Sequence, residues 1–562
     1  MQNHLDVLEK TNNWRINILL YVAVVFIVSF PFLLSYYKIG IQTAFGSFAA
    51  DSMTYMAVAI HTIEKGFITF NQSTITNGYQ PLWQYLLIIL QAIFNFTPRS
   101  FVSATLIFSV LIVAIGYVGM VRGVTKYWGF TTAAIMALLI SPGAFALFFE
   151  PSIGHESRDA ALLYSFTNWA FVNSMESATT VLGFGLLIMF ILQNLANLQY
   201  SKADNAISTQ IYSFFPRICL CIILFSRLDD IFIYISLALS IFIFSRGSIL
   251  TRVREILIIS LPGIIAVLVY MVLNMITVGT PVAASGLLKT GIAFSENFNQ
   301  LLKVMYHFDA TKASRMIPMI VSMIAGGLGS IFLIKSLLDN SPNLLDKNRF
   351  LVIYLLLPLA GYVFFKSLFH FTLVSLWHQG WWYYTGQIFV FNFLIGIGVC
   401  RLLTSNNLLV WPALGLLSIV CVVQMIDAGN RLGHLNGYSL KFYKLWSNRE
   451  EINKELKAID QDMKLIDSTD GVYGFILDIP SELATGLTMS TKDERADVAE
   501  KGTVPALYER GYTVVPLMVN DKWSGHYVST ATLDKLGFEY TEIYHDLESD
   551  AKFYKLNKQN SD

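Results

Sequence analysis

Pro81-Leu82-Trp83-Gln84-Tyr85-Leu86-Leu87-Ile88-Ile89-Leu90-Gln91-Ala92-Ile93-Phe94-Asn95-Phe96-Thr97 is the segment whose reading decides the fold. It is apolar throughout, yet barely long enough to cross a bilayer, whose hydrocarbon core asks for about 20 apolar residues in a helix. Eleven other segments are clearer candidates for spans: 16–36, 100–121, 129–148, 177–197, 214–227, 231–245, 255–277, 316–337, 350–371, 386–403 and 407–427. Charge bias settles the doubtful one, because short cytoplasmic loops are enriched in Lys and Arg. If 81–97 does not cross, the cytoplasmic side receives Lys10, Arg15, Arg122, Lys126, Lys202, Arg217, Arg246, Arg252, Arg254, Lys335, Lys347, Arg349 and Arg401. If it does cross, most of those basic turns face outward. The segment therefore reads as a juxtamembrane helix resting on the outer leaflet.

Composition agrees with a membrane protein, since 54% of the 562 residues are hydrophobic and 14% are charged, against about 25% charged in soluble domains. Lysine plus arginine equals aspartate plus glutamate at 39 each, so net charge points to no nucleic-acid partner. The four cysteines, Cys219, Cys221, Cys400 and Cys421, lie in apolar runs and read as buried thiols, not as a disulfide framework or a zinc site. The first span is preceded by Lys10 and Arg15 and lacks a small-residue cleavage site, so it reads as retained.

The expected architecture is a polytopic α-helical membrane protein with about 11 transmembrane helices over residues 1–430, followed by a small soluble α/β domain over 440–562. The C-terminal part carries no glycine-rich phosphate loop, no His-Glu metal motif and no nucleophile elbow. It reads as a stabilising or acceptor-contacting cap. Four polar features then share the outer face: the 37–98 loop with Asp51, the 150–173 loop, the 278–315 loop and the aromatic run Trp377 to Tyr384. The N-terminus is expected to be cytoplasmic, the C-terminal domain extracytoplasmic, and the membrane the plasma (inner) membrane.

Ionisable residues in or beside spans cost about 2.5–3.5 kcal/mol on insertion scales, which makes each a functional candidate. Ser226-Arg227-Leu228-Asp229-Asp230 divides two short apolar stretches. Arg227 either closes its own turn by pairing with Asp229 or Asp230, or is held by them to receive a phosphate bidentately. Lys289 follows a span that ends in Gly279 and Pro281; snorkelling alone is the plainer account, and Arg158 and Arg227 on the same face strengthen the other. Glu176 stands at the mouth of a span, and His378 sits among aromatics as an interfacial histidine or a donor to a ligand. Tyr79, Trp83 and Trp381 suit packing against a sugar ring or a prenyl chain, or anchoring at the interface.

Asp51, its spacing to Glu64-Lys65-Gly66, the motif Asn77-Gly78-Tyr79-Gln80-Pro81-Leu82-Trp83, Met175-Glu176, Arg227-Leu228-Asp229 and the stretch from Gly279 to Lys289 together resemble the GT-C class of membrane glycosyltransferases. Arabinofuranosyltransferase-like members are nearest in pattern, with protein O-mannosyltransferases and the lipid A aminoarabinose transferase more distant; the likeness covers residues 14–400. It implies a polyprenyl-phosphate sugar donor, transfer to an acceptor hydroxyl on the extracytoplasmic face, and inversion by a carboxylate base, a position on which Asp51 falls. Relatives often carry two consecutive acids there, whereas this chain has Asp51-Ser52. The phosphate leaving group already bears its charge, so no cofactor is required and a divalent cation is optional. Acceptors of three kinds fit: glycan, glycolipid or protein. A transporter or flippase of a lipid-linked saccharide is the alternative, although the internal symmetry typical of transporters is missing from the sequence.

Overall fold

The computed structural model describes residues 14–49, 51–140, 171–198, 211–284, 286, 293–306, 310–338, 349–374, 381–404, 407–432, 437–469, 471–518 and 528–558. Helices coincide with all eleven apolar segments. By length and composition six are fit to cross a membrane: Trp14–Ile39, Pro98–Trp128, Ser177–Asn197, Ile249–Val278, Arg349–Leu373 and Val410–Asn430. Their outward faces are lipid-like, as on Ile249–Val278, where Leu257, Leu261, Leu268, Val272 and Ile276 are all exposed. This is an integral membrane protein whose exposed helix faces are greasier than its interior is required to be.

With no hydrophobic drive between helices inside lipid, close packing comes from small residues. Pro98–Trp128 and Ser177–Leu198 show this: a Cβ on Gly185 would lie 2.0 Å from the Gly116 carbonyl oxygen. The cysteines Cys219, Cys400 and Cys421 are buried, Cys221 is half-buried, and none of the four is in a disulfide.

The Pro81–Phe94 helix has 14 residues and so extends ~21 Å, short of the ~30 Å hydrocarbon core. Its sidedness is inverted relative to a soluble helix. Gln84 and Gln91 are buried with Trp83 and Leu87, while Tyr85, Ile89, Ile93 and Phe94 are exposed. An apolar stripe at i, i+4, i+8 facing out suits a helix bedded in a membrane surface.

Past the Asn407–Leu432 helix come Gly437–Ser447 and Arg449–Ile459, then a five-stranded sheet of order β2-β1-β3-β5-β4. Here β1 is Leu465–Asp467, β2 Ser481–Leu483, β3 Val514–Met518, β4 Phe538–Asp546 and β5 Ala551–Lys558. β1 runs parallel to β2 and β3, with Leu465 opposite Ser481 and Val514, whereas β5 is antiparallel to β3 and β4. The parallel strands β1 and β2 are buried along their whole length, as expected of strands covered on both faces. The sheet side of this domain that carries β2 lies against the loop around residues 70–78, and that contact positions the site described next.

Candidate active site

The Phe214–Ser226 and Phe232–Phe244 helices have 13 residues each, too few to cross alone at 1.5 Å per residue. Between them the chain leaves helical geometry at Arg227 (φ −147°, ψ 121°) and makes one 3₁₀ turn, Leu228–Ile231. Broken backbone at such depth is tolerated where it lines a cavity or is buried in protein. The break delivers three charged side chains to the interior.

Arg227 is 2% exposed. Its Nη1 binds Glu176 Oε1, Nε donates to Asp229 Oδ1 at 3.0 Å, and Nη2 donates to Asp229 Oδ2 at 3.3 Å. Its guanidinium lies 4.2 Å above the ring of Tyr383. A guanidinium has five N–H donors, so two remain beyond these three contacts. Asp230 is held from the opposite side by one face of the Leu357–Leu373 helix. Tyr362 Oη donates to Asp230 Oδ1 at 2.6 Å, and Lys366, fully buried, binds the same oxygen. Four residues further on, His370 Nε2 lies 3.0 Å from Asp229 Oδ2, which Lys366 Nζ also approaches at 3.7 Å. The spacing 362, 366, 370 places all three on one helical stripe. Three carboxylates thus meet two fixed cations and a histidine.

Asp51 opens the Asp51–Lys65 helix, in its first turn, where a negative charge is favoured by the helix dipole. It is half-buried, and it acts electrostatically on both Tyr55 and Glu176. Tyr55, one turn along the same helix, donates its hydroxyl to Glu176 Oε2 at 3.1 Å. The backbone before Asp51 is tied to the same turn, since Ala49 N donates to Asn173 O at 3.2 Å. The motif 77–83 completes the frame: Gln80 N donates to Tyr55 Oη, and Leu228 N donates to Gln80 Oε1. Ser52 is fully buried, with no partner for its hydroxyl among the described residues. A second acid at position 52 would be an uncompensated buried charge, which accounts for the serine.

Trp83 is wholly buried, stacks on Phe108 with ring centroids 5.8 Å apart, and donates its indole N–H to Ser174 O at 2.8 Å. Through that bond it fixes the turn that carries Glu176. Tyr79 is likewise buried, edge-on to Tyr85. Trp381 opens a short 3₁₀ turn, Trp381–Tyr384, through which Tyr383 reaches Arg227. Arg158, Lys289 and His378 lie outside the described residues. Sequence reasoning missed Tyr55, Tyr362, Lys366 and His370. A usable signal existed for the last two: a lysine and a histidine four apart inside the apolar segment 350–371. Among the described residues no three His, Cys, Asp or Glu side chains are arranged to hold a metal ion.

The C-terminal domain roofs this assembly. Asn71 Nδ2 donates to Glu482 Oε2 at 2.6 Å, Thr74 Oγ1 to Glu494 Oε1 at 2.8 Å, and Asn77 N to Ser490 Oγ at 2.8 Å. Asn77 Oδ1 also accepts from Ala284 N, binding the 282–284 loop. A Cβ on Gly78 would come within 2.0 Å of the Leu487 carbonyl oxygen, so only glycine admits that backbone crossing. The turn at Gly471 rests on Thr54, three residues from Asp51. Glu482 is buried beside Glu494, and burial pushes its carboxyl up to about 7. Asn71, first residue of the sequon Asn71-Gln72-Ser73, is 4% exposed and spends its amide inside this joint.

No protein-family model matches the chain, and no curated protein is found similar to it. Solved structures similar to it include the following two. One is ArnT from Cupriavidus metallidurans bound to undecaprenyl phosphate, 13% identical, with a TM-score of 0.47 and covering 98% of this chain and 99% of that chain. The other is ArnT from Cupriavidus metallidurans in the apo state, 15% identical, with a TM-score of 0.45 and covering 96% of this chain and 97% of that chain.

Proposed function

We propose that the chain is an inverting GT-C glycosyltransferase that moves a sugar from a polyprenyl-phosphate donor to an acceptor hydroxyl on the extracytoplasmic face. The observation that carries this reading is a half-buried carboxylate, Asp51, that acts electrostatically on Glu176, the partner of a buried arginine, Arg227, whose guanidinium has two N–H donors beyond its three carboxylate contacts among the described residues. Asp51 takes the proton of the acceptor hydroxyl as its oxygen attacks the anomeric carbon. The bond from that carbon to the lipid phosphate oxygen breaks on the opposite face, and the phosphate leaves with its charge. Arg227, with Lys289, Arg158 and His378 as further candidates, holds that phosphate. Glu176 and Asp229 orient Arg227 and do not touch the donor. The acceptor is a glycan, a glycolipid or a protein, and nucleic acid has no part.

A positioned general base contributes about 10²–10⁴ in rate. Asp51→Asn is expected to lose that much turnover in purified, detergent-solubilised protein, with melting temperature and donor binding unchanged. Normal turnover by the variant sinks the assignment. Detergent removes compartments, so sugar transfer under those conditions also separates catalysis from transport. Turnover is expected to survive EDTA, because the leaving phosphate is met by fixed cations.

A further inference from the structure

Against the lipid-facing surface of the Pro98–Trp128 helix lies a groove of about 670 Å³ that the proposed transfer does not use. Its walls are Leu90 and Phe96 on one side and Ala104, Ile107, Phe108 and Leu111 of Pro98–Trp128 on the other. At its head stand Arg99, Thr97 and Ser100. From Ser100 to Leu111 the helix rises ~16 Å, close to half of the ~30 Å hydrocarbon core, which is the depth of one leaflet.

Pro98–Trp128 has 31 residues and is therefore ~46 Å long, well over the hydrocarbon thickness. Its first turn, with Arg99, stands at headgroup height when the rest spans. Arg99 is exposed and has no ion pair among the described residues. Its guanidinium lies 5.9 Å from the ring centroid of Trp446 in the Gly437–Ser447 helix, and Arg449 stacks on the same ring at 4.8 Å. Arg449 Nη1 donates to Trp446 O, and its Nη2 reaches Glu450. Trp446 is 4% exposed, yet its Nε1 has no acceptor among the described residues. That N–H is buried and Trp446 does not line the groove, so the ring serves the site only by stacking under Arg99 at its head. An apolar trough one leaflet deep, headed by an exposed guanidinium that has no ion pair among the described residues, asks for an anion with a hydrocarbon tail.

We propose that this groove binds one anionic phospholipid of the bilayer, its phosphate on Arg99 beside Thr97 and Ser100, and one acyl chain between Pro81–Phe94 and Pro98–Trp128. The leaflet-deep trough suits an acyl chain and is short for a polyprenyl chain. The phospholipid would brace the start of the span against the helix that leads into the C-terminal domain.

Native mass spectrometry of the full-length protein in detergent tests this, with phosphatidylglycerol and phosphatidylcholine of identical acyl chains added as probes. Preferential retention of phosphatidylglycerol is expected, and Arg99→Ala should reduce that preference about fivefold, the effect of one surface cation. Arg99→Lys should keep most of it, and Ala104→Phe, which narrows the trough, should lower retention of both lipids. Equal retention of the two lipids by the unaltered protein, or an unchanged preference in Arg99→Ala, overturns the proposal. Displacement of phosphatidylglycerol by equimolar undecaprenyl phosphate also overturns it, by assigning the groove to a polyprenyl lipid.

Discussion

Two buried polar networks hold this protein together, and they are built on opposite principles. Around Arg227 each carboxylate faces a cation: Glu176 and Asp229 take the guanidinium, Asp230 takes Lys366, and His370 adds a ring nitrogen to Asp229. In the joint between the 66–80 loop and the C-terminal domain the acids meet neutral donors. Glu482 accepts from Asn71, Thr488 and its neighbour Leu483 N, and Glu494 from Thr74 and Thr491 N. Neither Glu482 nor Glu494 has an ion pair among the described residues, although Arg495 acts on Glu494 electrostatically. Low-dielectric surroundings make charge compensation mandatory in the first network, where loss of one partner strands another. The second is equally buried, and there burial raises Glu482 so that it can take up a proton. The chain fixes charge where phosphate chemistry is proposed and keeps a titratable acid where two parts of it dock.

The sharpest way to break this contrast is Lys366→Met. It leaves Asp230, whose Oδ2 already has no partner among the described residues, as an uncompensated buried charge beside Asp229. A loss of about 3–5 kcal/mol is expected, read as a large fall in detergent melting temperature. Lys366→Met combined with Asp230→Asn should recover most of that loss. If the single and double variants melt alike, the two residues are not coupled and the paired-ion description of this network fails.

How much of this was legible beforehand differs between the same two regions. Apolar run length gave away where helices lie in all eleven segments and in the short Pro81–Phe94 stretch, because lipid demands long unbroken apolar stretches and writes them into the text. The Arg227–Asp229 pairing was visible too, since its partners are two residues apart. Lys366, His370 and Tyr362 were not assigned, because their contact to 229–230 joins residues more than 130 positions apart. Nothing local in sequence fixes which helix faces which. The docking residues were still less visible: Asn71 looked like a surface sequon and Gly78 like an ordinary turn glycine. Trp83 looked like a ligand platform, yet its indole N–H is spent on Ser174 O.

The docking joint carries the pH dependence. Glu482 has its carboxyl raised to about 7 from an ordinary 4.5 by burial and the neighbouring Glu494, so the folded state holds this proton more tightly than the unfolded state. Stability is then full below about pH 4.5, falls as pH rises towards 7, and levels off above. The span corresponds to an upper bound on the order of 3 kcal/mol. Melting temperature measured from pH 5 to 8 should decline in the unaltered protein and decline less in Glu482→Gln. Parallel curves would place the dependence elsewhere.

Gly78→Ala attacks the same joint without charge. Its new Cβ would sit 2.0 Å from Leu487 O, a backbone atom that cannot swing aside, so a loss of about 1–3 kcal/mol is expected. Faster protease cleavage of the 66–80 loop should accompany it, and a wild-type cleavage rate would mean the two backbones do not cross there.

The smallest effect belongs to Asn71. Its Oδ1 accepts from Ser73 N, Ser73 Oγ and Thr74 N, which orders the turn, and its Nδ2 reaches across to Glu482. Asn71→Ala removes both functions and should cost about 1–2 kcal/mol. Asn71→Asp keeps the turn acceptor and loses the donor, setting a carboxylate against Glu482. Its penalty should therefore be slight at pH 5, where Glu482 is protonated, and larger at pH 8, where two like charges face each other. A penalty independent of pH would show that Asn71 serves only its own turn, and the joint would then lack the neutral donor that distinguishes it from the Arg227 network.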